Sequence, residues 1–174
     1  MASLMENLLD VLSKEADRYE ALLKLSSAKT PVLIAGNIEE LEKITDEEQR
    51  VVDEITALDN KRAEVTKDIA DVMNKDVSSL KLTNLIKMLA QRPGEQAKLT
   101  TVYDRLSGAV REVARVNEHN KTLIEDSLEM VDFNLNVLQA MRSAPETADY
   151  TKGGMNAGNA YGGTYSRSAF DAKQ

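Results

Sequence analysis

Between Ile38 and Val72 the residues Ile38, Leu41, Thr45, Glu48, Val52, Ile55, Leu58, Arg62, Val65, Ile69 and Val72 recur at three- and four-residue intervals. A strand repeats every second residue, so this period belongs to one long amphipathic helix. At 1.5 Å per residue its roughly 36 residues form a rod of about 54 Å. A rod that long keeps its apolar seam dry only against other long helices. The seam is not uniformly apolar. Glu48 and Arg62 interrupt it, so strict coiled-coil packing is not expected at those two layers.

The flanking segments repeat the theme. From Ser3 to Ala35 the stripe is Leu4, Leu8, Val11, Leu12, Ala16, Tyr19, Leu22, Leu23 and Leu33. Pro31 predicts an end or a kink near Lys29–Thr30, with one further turn beyond. Gly36 suits a left-handed stop, and Asn37 suits the next N-cap, with Glu39 and Glu40 favouring the helix dipole. So short a junction predicts an antiparallel hairpin or a sharp bend. A polar break over Asn74–Ser79 precedes a short apolar helix at 83–91, capped at Thr83 and stopped by Arg92-Pro93-Gly94. The longest pattern runs from 95 to 142. Its seam is Leu99, Val102, Leu106, Val110, Val113, Asn117, Asn120, Ile124, Ser127, Val131, Asn134, Leu138 and Met141, widened by Val116, Leu123, Leu128, Met130 and Val137. The expected fold is therefore all-α: three long helices (3–35, 38–73, 95–142) and one short one, in a long antiparallel hairpin or bundle over residues 1–142.

The tail, 143–174, changes character. It holds Pro145 and five of the eight Gly residues, with acids and bases in balance, so the net charge of −7 sits on the helical body. Yet it carries Tyr150, Tyr161, Tyr165 and Phe170. Such a composition cannot bury enough surface to fold alone, but spaced aromatics can be buried against a partner. A flexible terminus, ordered on binding, is the expectation.

Charge and composition exclude several function classes. An acidic chain of pI about 4.9 without a basic run is not built for nucleic acid or an anionic membrane surface. Glu6, Asp10, Glu15 and Asp17 leave no basic-then-apolar secretory leader, and no stretch of 18 uncharged apolar residues spans a bilayer. Absence of Cys removes disulfides and thiolate sites and fits a reducing compartment. No phosphate loop, nucleophile elbow or paired metal ligands occur, so no catalytic, cofactor or metal residue is assigned. The acid pairs Glu39/Glu40 and Glu47/Glu48 read as solvated helix surface rather than acid–base machinery. The single His119 lies in His-Asn-Lys-Thr-Leu. A phosphoacceptor site would have Lys one place later and Gly where Leu123 stands.

The polar residues of the long third helix are more informative. Asn117, Asn120, Ser127 and Asn134 fall on its seam, where an unpaired amide is costly. Two readings stay open: a register device inside the bundle, or a groove that bonds a partner's helix. With Ile124 and Val131 and the four tail aromatics they form the candidate partner-binding set.

The run Asn117-Glu-His-Asn-Lys-Thr-Leu-Ile-Glu-Asp-Ser127-Leu-Glu-Met-Val-Asp-Phe133-Asn-Leu135 resembles the late-helix signature of the FlgN family. The Gly-Asn-Ile-Glu-Glu-Leu junction at Gly36–Leu41 is similar to that family too, as are Glu48-Gln49 and the run to Arg62. The likeness extends over about Leu4 to Met141 in helix order and length. The resemblance implies a cytoplasmic chaperone of flagellar type III secretion. It would hold hook-associated (hook–filament junction) subunits, prevent their premature assembly and pass them to export-apparatus components, gripping through its C-terminal portion. Two readings from other classes compete with it. One is a structural coiled-coil homo-oligomer without a client, and the other is a histidine phosphotransfer bundle.

Overall fold

The computed structural model describes residues 2–143, and among them all regular structure is helical. Helix α1 spans Ala2–Ala35, α2 Ile38–Met73, α3 Leu82–Met88 and α4 Pro93–Ser143, with single 3₁₀ turns at Val77–Ser79 and Leu89–Gln91. The tail aromatics Tyr150, Tyr161, Tyr165 and Phe170 lie outside the described residues. The chain divides into two compact units, Met1–Leu135 and Asn136–Gln174.

The α1–α2 junction follows from its residues. Gly36 takes φ +65° and donates to the Leu33 carbonyl, while Asn37 N–H reaches back to Val32, so two orphan carbonyls are satisfied. The Asn37 side chain then accepts from Glu40 N–H at 3.1 Å and opens α2. At the far end of α2, Asn74 adopts the left-handed conformation at φ 51° and closes that helix in the same manner.

Two boundaries differ from the sequence reading, whereas α1 runs through Pro31 to Ala35, the end expected for it. Pro31 removes only one backbone donor, and that turn is held from outside by Lys29 on Glu48 and Thr30 on Asn120. Thr83 is not a cap. It sits inside α3, whose N-cap position is Lys81, without a side-chain bond. The start of this segment is fixed instead by Asp76, which caps Ser78, and by Asn84, which donates to the Ser79 carbonyl. Pro93 does not terminate the short helix but is the first residue of α4. A missing N–H costs nothing in the first turn, and the ring presets φ.

The core of the first unit thins along its length. At one end Met5, Leu8, Leu12 and Ala16 of α1 meet Val65, Ile69 and Ala70 of α2, Leu80, Leu85 and Leu89 of the short segment, and Leu99 and Leu106 of α4. Leu8, Leu12, Leu85 and Leu99 are fully buried, each worth roughly 1.5–3 kcal/mol. Further along only Leu22, Ile55 and Val113 remain as a second cluster. Beyond them the layer becomes polar. Contacts between α1 and α2 pair Glu15 with Arg62, Arg18 with Glu54 and Ser26 with Glu48, so residue numbers rise on one helix as they fall on the other.

Candidate functional site

Both polar interruptions of the α2 seam are answered by polar residues of α1. Glu48 accepts from Ser26 Oγ at 2.8 Å and pairs with Lys29, and both members of that ion pair are largely buried. Arg62 lies 3.3 Å from Glu15 and also pairs with Asp59. Glu15 is only 2% exposed, and among the described residues its Oε1 has no hydrogen-bond partner. Burial raises the Glu15 pKa, against which the nearby Arg62 charge acts in the lowering direction.

Asn120 completes the polar layer. Its side-chain amide donates to the Ser26 carbonyl at 2.8 Å, and its Oδ1 accepts from Thr30 Oγ1 at 2.7 Å. At 3% exposure, with both amide atoms bonded inside the unit, Asn120 fits the register reading, while it also borders an open groove. Asn117 lies exposed on the neighbouring row, at the lip of a groove of about 470 Å³ bordered also by Leu22, Val52 and Ile124. On the solvent side, Arg105 of α4 bonds Asp17 and Glu20 of α1 at 2.6–2.7 Å, which holds the Glu20 carboxyl below its usual range.

The buried line of α4 is Leu99, Leu106, Val113 and Asn120, one residue per heptad, with Ala109 and Val116 beside it. It stops at Asn120. Between Ile124 and Leu135 every residue is exposed, although Ile124, Leu128, Met130, Val131, Phe133 and Leu135 are large and apolar. Ile124 is 40% exposed and Phe133 66%. So many exposed apolar side chains on one short stretch are more than an ordinary solvated helix carries. Ile124, Leu128, Val131 and Leu135 stand at i, i+4, i+7 and i+11, a single row. Ser127 and Asn134 flank that row. Ser127 turns its hydroxyl back onto the Leu123 carbonyl. In the second unit Val137, Leu138 and Met141 are likewise exposed.

A family model described as FlgN protein matches residues 1–158 of this chain. The chain belongs to the FlgN family. That family is one of flagellar chaperones. The chain is also similar to the Bacillus subtilis protein named "Uncharacterized protein YvyG", at 29% identity over 121 residues, covering 69% of this chain and 71% of that one. No solved structure matches it.

Of the expected site residues of this FlgN protein, Ile124 and Val131 share the exposed row, with Asn117, Ser127 and Asn134 exposed nearby. What sequence reading missed was the α1 half of the polar layer. Glu15 and Ser26 continue the three-four spacing of α1 through Leu12, Tyr19 and Leu22, and that spacing was the available signal. Among the described residues no group of three or more His, Asp or Glu could hold a metal ion, and no helix is long and apolar enough to cross a membrane.

Proposed function

We propose that this FlgN protein is a cytoplasmic export chaperone of flagellar type III secretion. It holds hook-associated subunits before export, keeps them from assembling early, and presents them to the export apparatus. The observation that carries the reading is the exposed apolar row of α4, Ile124, Leu128, Val131 and Leu135, on a helix whose preceding turns are firmly packed. In this reading α1 and α2 form an antiparallel hairpin that, with the short helix, braces the packed turns of α4. The terminal amphipathic segments of a client would otherwise aggregate or polymerise, and a pre-ordered helical strip covers them at little conformational cost.

Residues 143–174 act in this proposal as an arm that closes over the bound client through Tyr150, Tyr161, Tyr165 and Phe170. Ordering such a segment consumes about 2–5 kcal/mol of the interaction it gains, which favours capture that remains releasable. Removing the arm after Arg142 should weaken client capture at least tenfold, a loss of about 1.4 kcal/mol. Unchanged affinity would leave the arm without a role.

The reading is tested by co-purification of the tagged full chain from its source cell, with mass spectrometry of the bound proteins. Hook-associated subunits should be recovered in stoichiometric amount. Recovery of the chain alone, as a fixed oligomer at every concentration, favours instead the client-free structural protein.

A further inference from the structure

Beside the exposed apolar row of α4 runs a second row of different chemistry. Glu125, Glu129 and Asp132 repeat the spacing of Ile124, Leu128 and Val131 one position later, so they border it along one flank. The other flank is neutral, with Ser127, Met130 and Asn134. Lys121 reaches Glu125 at 4.0 Å, but among the described residues no salt bridge reaches Asp126, Glu129 or Asp132. No Lys or Arg occurs between Lys121 and Arg142.

We infer that this face receives an amphipathic helix of a partner protein whose own apolar row is bordered on one side by Lys or Arg. The inference rests on the functional reading above and adds the chemistry of the client. Apolar side chains at i, i+4 and i+7 accept the matching side chains of a second helix. The one-sided carboxylate row then fixes which way round that helix lies and rejects acidic competitors. An antiparallel second copy of this chain fits poorly, because it would bring Glu125, Glu129 and Asp132 to the same three carboxylates. The chain's own tail fits poorly as well. Its bases Lys152, Arg167 and Lys173 are too far apart in sequence to form a helical row.

The chain has no Trp and no Cys, which permits a clean test on the full-length protein. Three synthetic helical peptides share one Leu-rich apolar row and one Trp, and differ only in a flank of Lys, Gln or Glu. Trp fluorescence titration should show the Lys-flanked peptide binding about tenfold tighter than the Gln-flanked one at low salt, with the gap closing as salt rises. The Glu-flanked peptide should bind weakest, and Glu129→Lys with Asp132→Lys should reverse the order. Equal binding of all three peptides that is lost in Leu128→Asp overturns the charge selectivity and leaves the functional reading standing. A cysteine placed by Leu128→Cys should react rapidly with a thiol reagent in the free chain. Slow reaction at every concentration assigns the face to the chain's own tail, and slow reaction that deepens with concentration assigns it to a second copy. Either result overturns the inference. Rapid reaction with no binding of any peptide removes this face as a docking surface, and the functional reading with it.

Discussion

Asn120 of α4 donates its side-chain amide to the backbone carbonyl of Ser26 on α1, 2.8 Å away and 94 positions earlier in the chain. With Thr30 on its other atom, this one side chain fixes the register of α4 against α1 at the last packed layer. Asn120→Ala leaves the Thr30 hydroxyl and one face of the Ser26 carbonyl without partners. The expected cost is about 1–3 kcal/mol, read as a lower urea midpoint at unchanged slope. A midpoint equal to wild type would mean that water replaces both bonds freely.

The Lys29–Glu48 pair lies in the same layer with both charges mostly out of water. Glu48→Leu alone strands the ammonium of Lys29 and should destabilise by about 2–4 kcal/mol. The double change Lys29→Met with Glu48→Leu should recover most of that loss, because well-packed apolar groups substitute for a buried pair at little cost. Additive losses in the two single variants and the double variant would contradict this account of the layer.

Glu15 carries the pH prediction. Its pKa in the folded chain is raised above the ordinary 4.5 by burial. A raised carboxyl opposes folding when ionised, so its contribution is most favourable below the unfolded value and is lost as pH rises through the folded one. Glu15→Gln should therefore match or exceed wild-type stability at pH 7, by up to about 1 kcal/mol, while Arg62 keeps Asp59. The difference should shift toward wild type as pH falls through the raised value to about 4.5. Thermal midpoints measured from pH 4 to 8 check the sign, and a wild-type advantage that grows with pH would reverse it.

Much of the fold was legible because it rests on period and punctuation. The three-four spacing marks the long helices, and Gly36-Asn37 marks their junction with nearly residue-level accuracy. Pro31 left an end or a kink open, and the helix through it is gripped at Lys29 and Thr30 by Glu48 and Asn120, from distant parts of the chain. The misses lie at the two ends of the short helix. Pro93 reads as a stop because sequence alone does not say on which side of a proline the helix lies. For the site, the seam of α4 was visible, but not the point at which its neighbours end. Asn120 and Asn117 look equivalent in sequence, yet one is buried against α1 and the other faces water.

Two glycines should respond in opposite directions. Gly36 sits at φ +65°, where a Cβ is strained, so Gly36→Ala should cost about 1 kcal/mol. Gly108 lies within α4 with open space around any added Cβ, so Gly108→Ala should stabilise by up to about 1 kcal/mol. Thermal midpoints of the two variants, moving apart from wild type, check both.

The most direct test of the account is the affinity of the full-length Leu128→Asp, Val131→Asp variant for a hook-associated subunit, alongside its thermal midpoint. Both side chains are exposed, so the fold should hold to within about 0.5 kcal/mol while capture falls at least tenfold. Capture at wild-type strength by a stably folded variant would show that the client is held elsewhere.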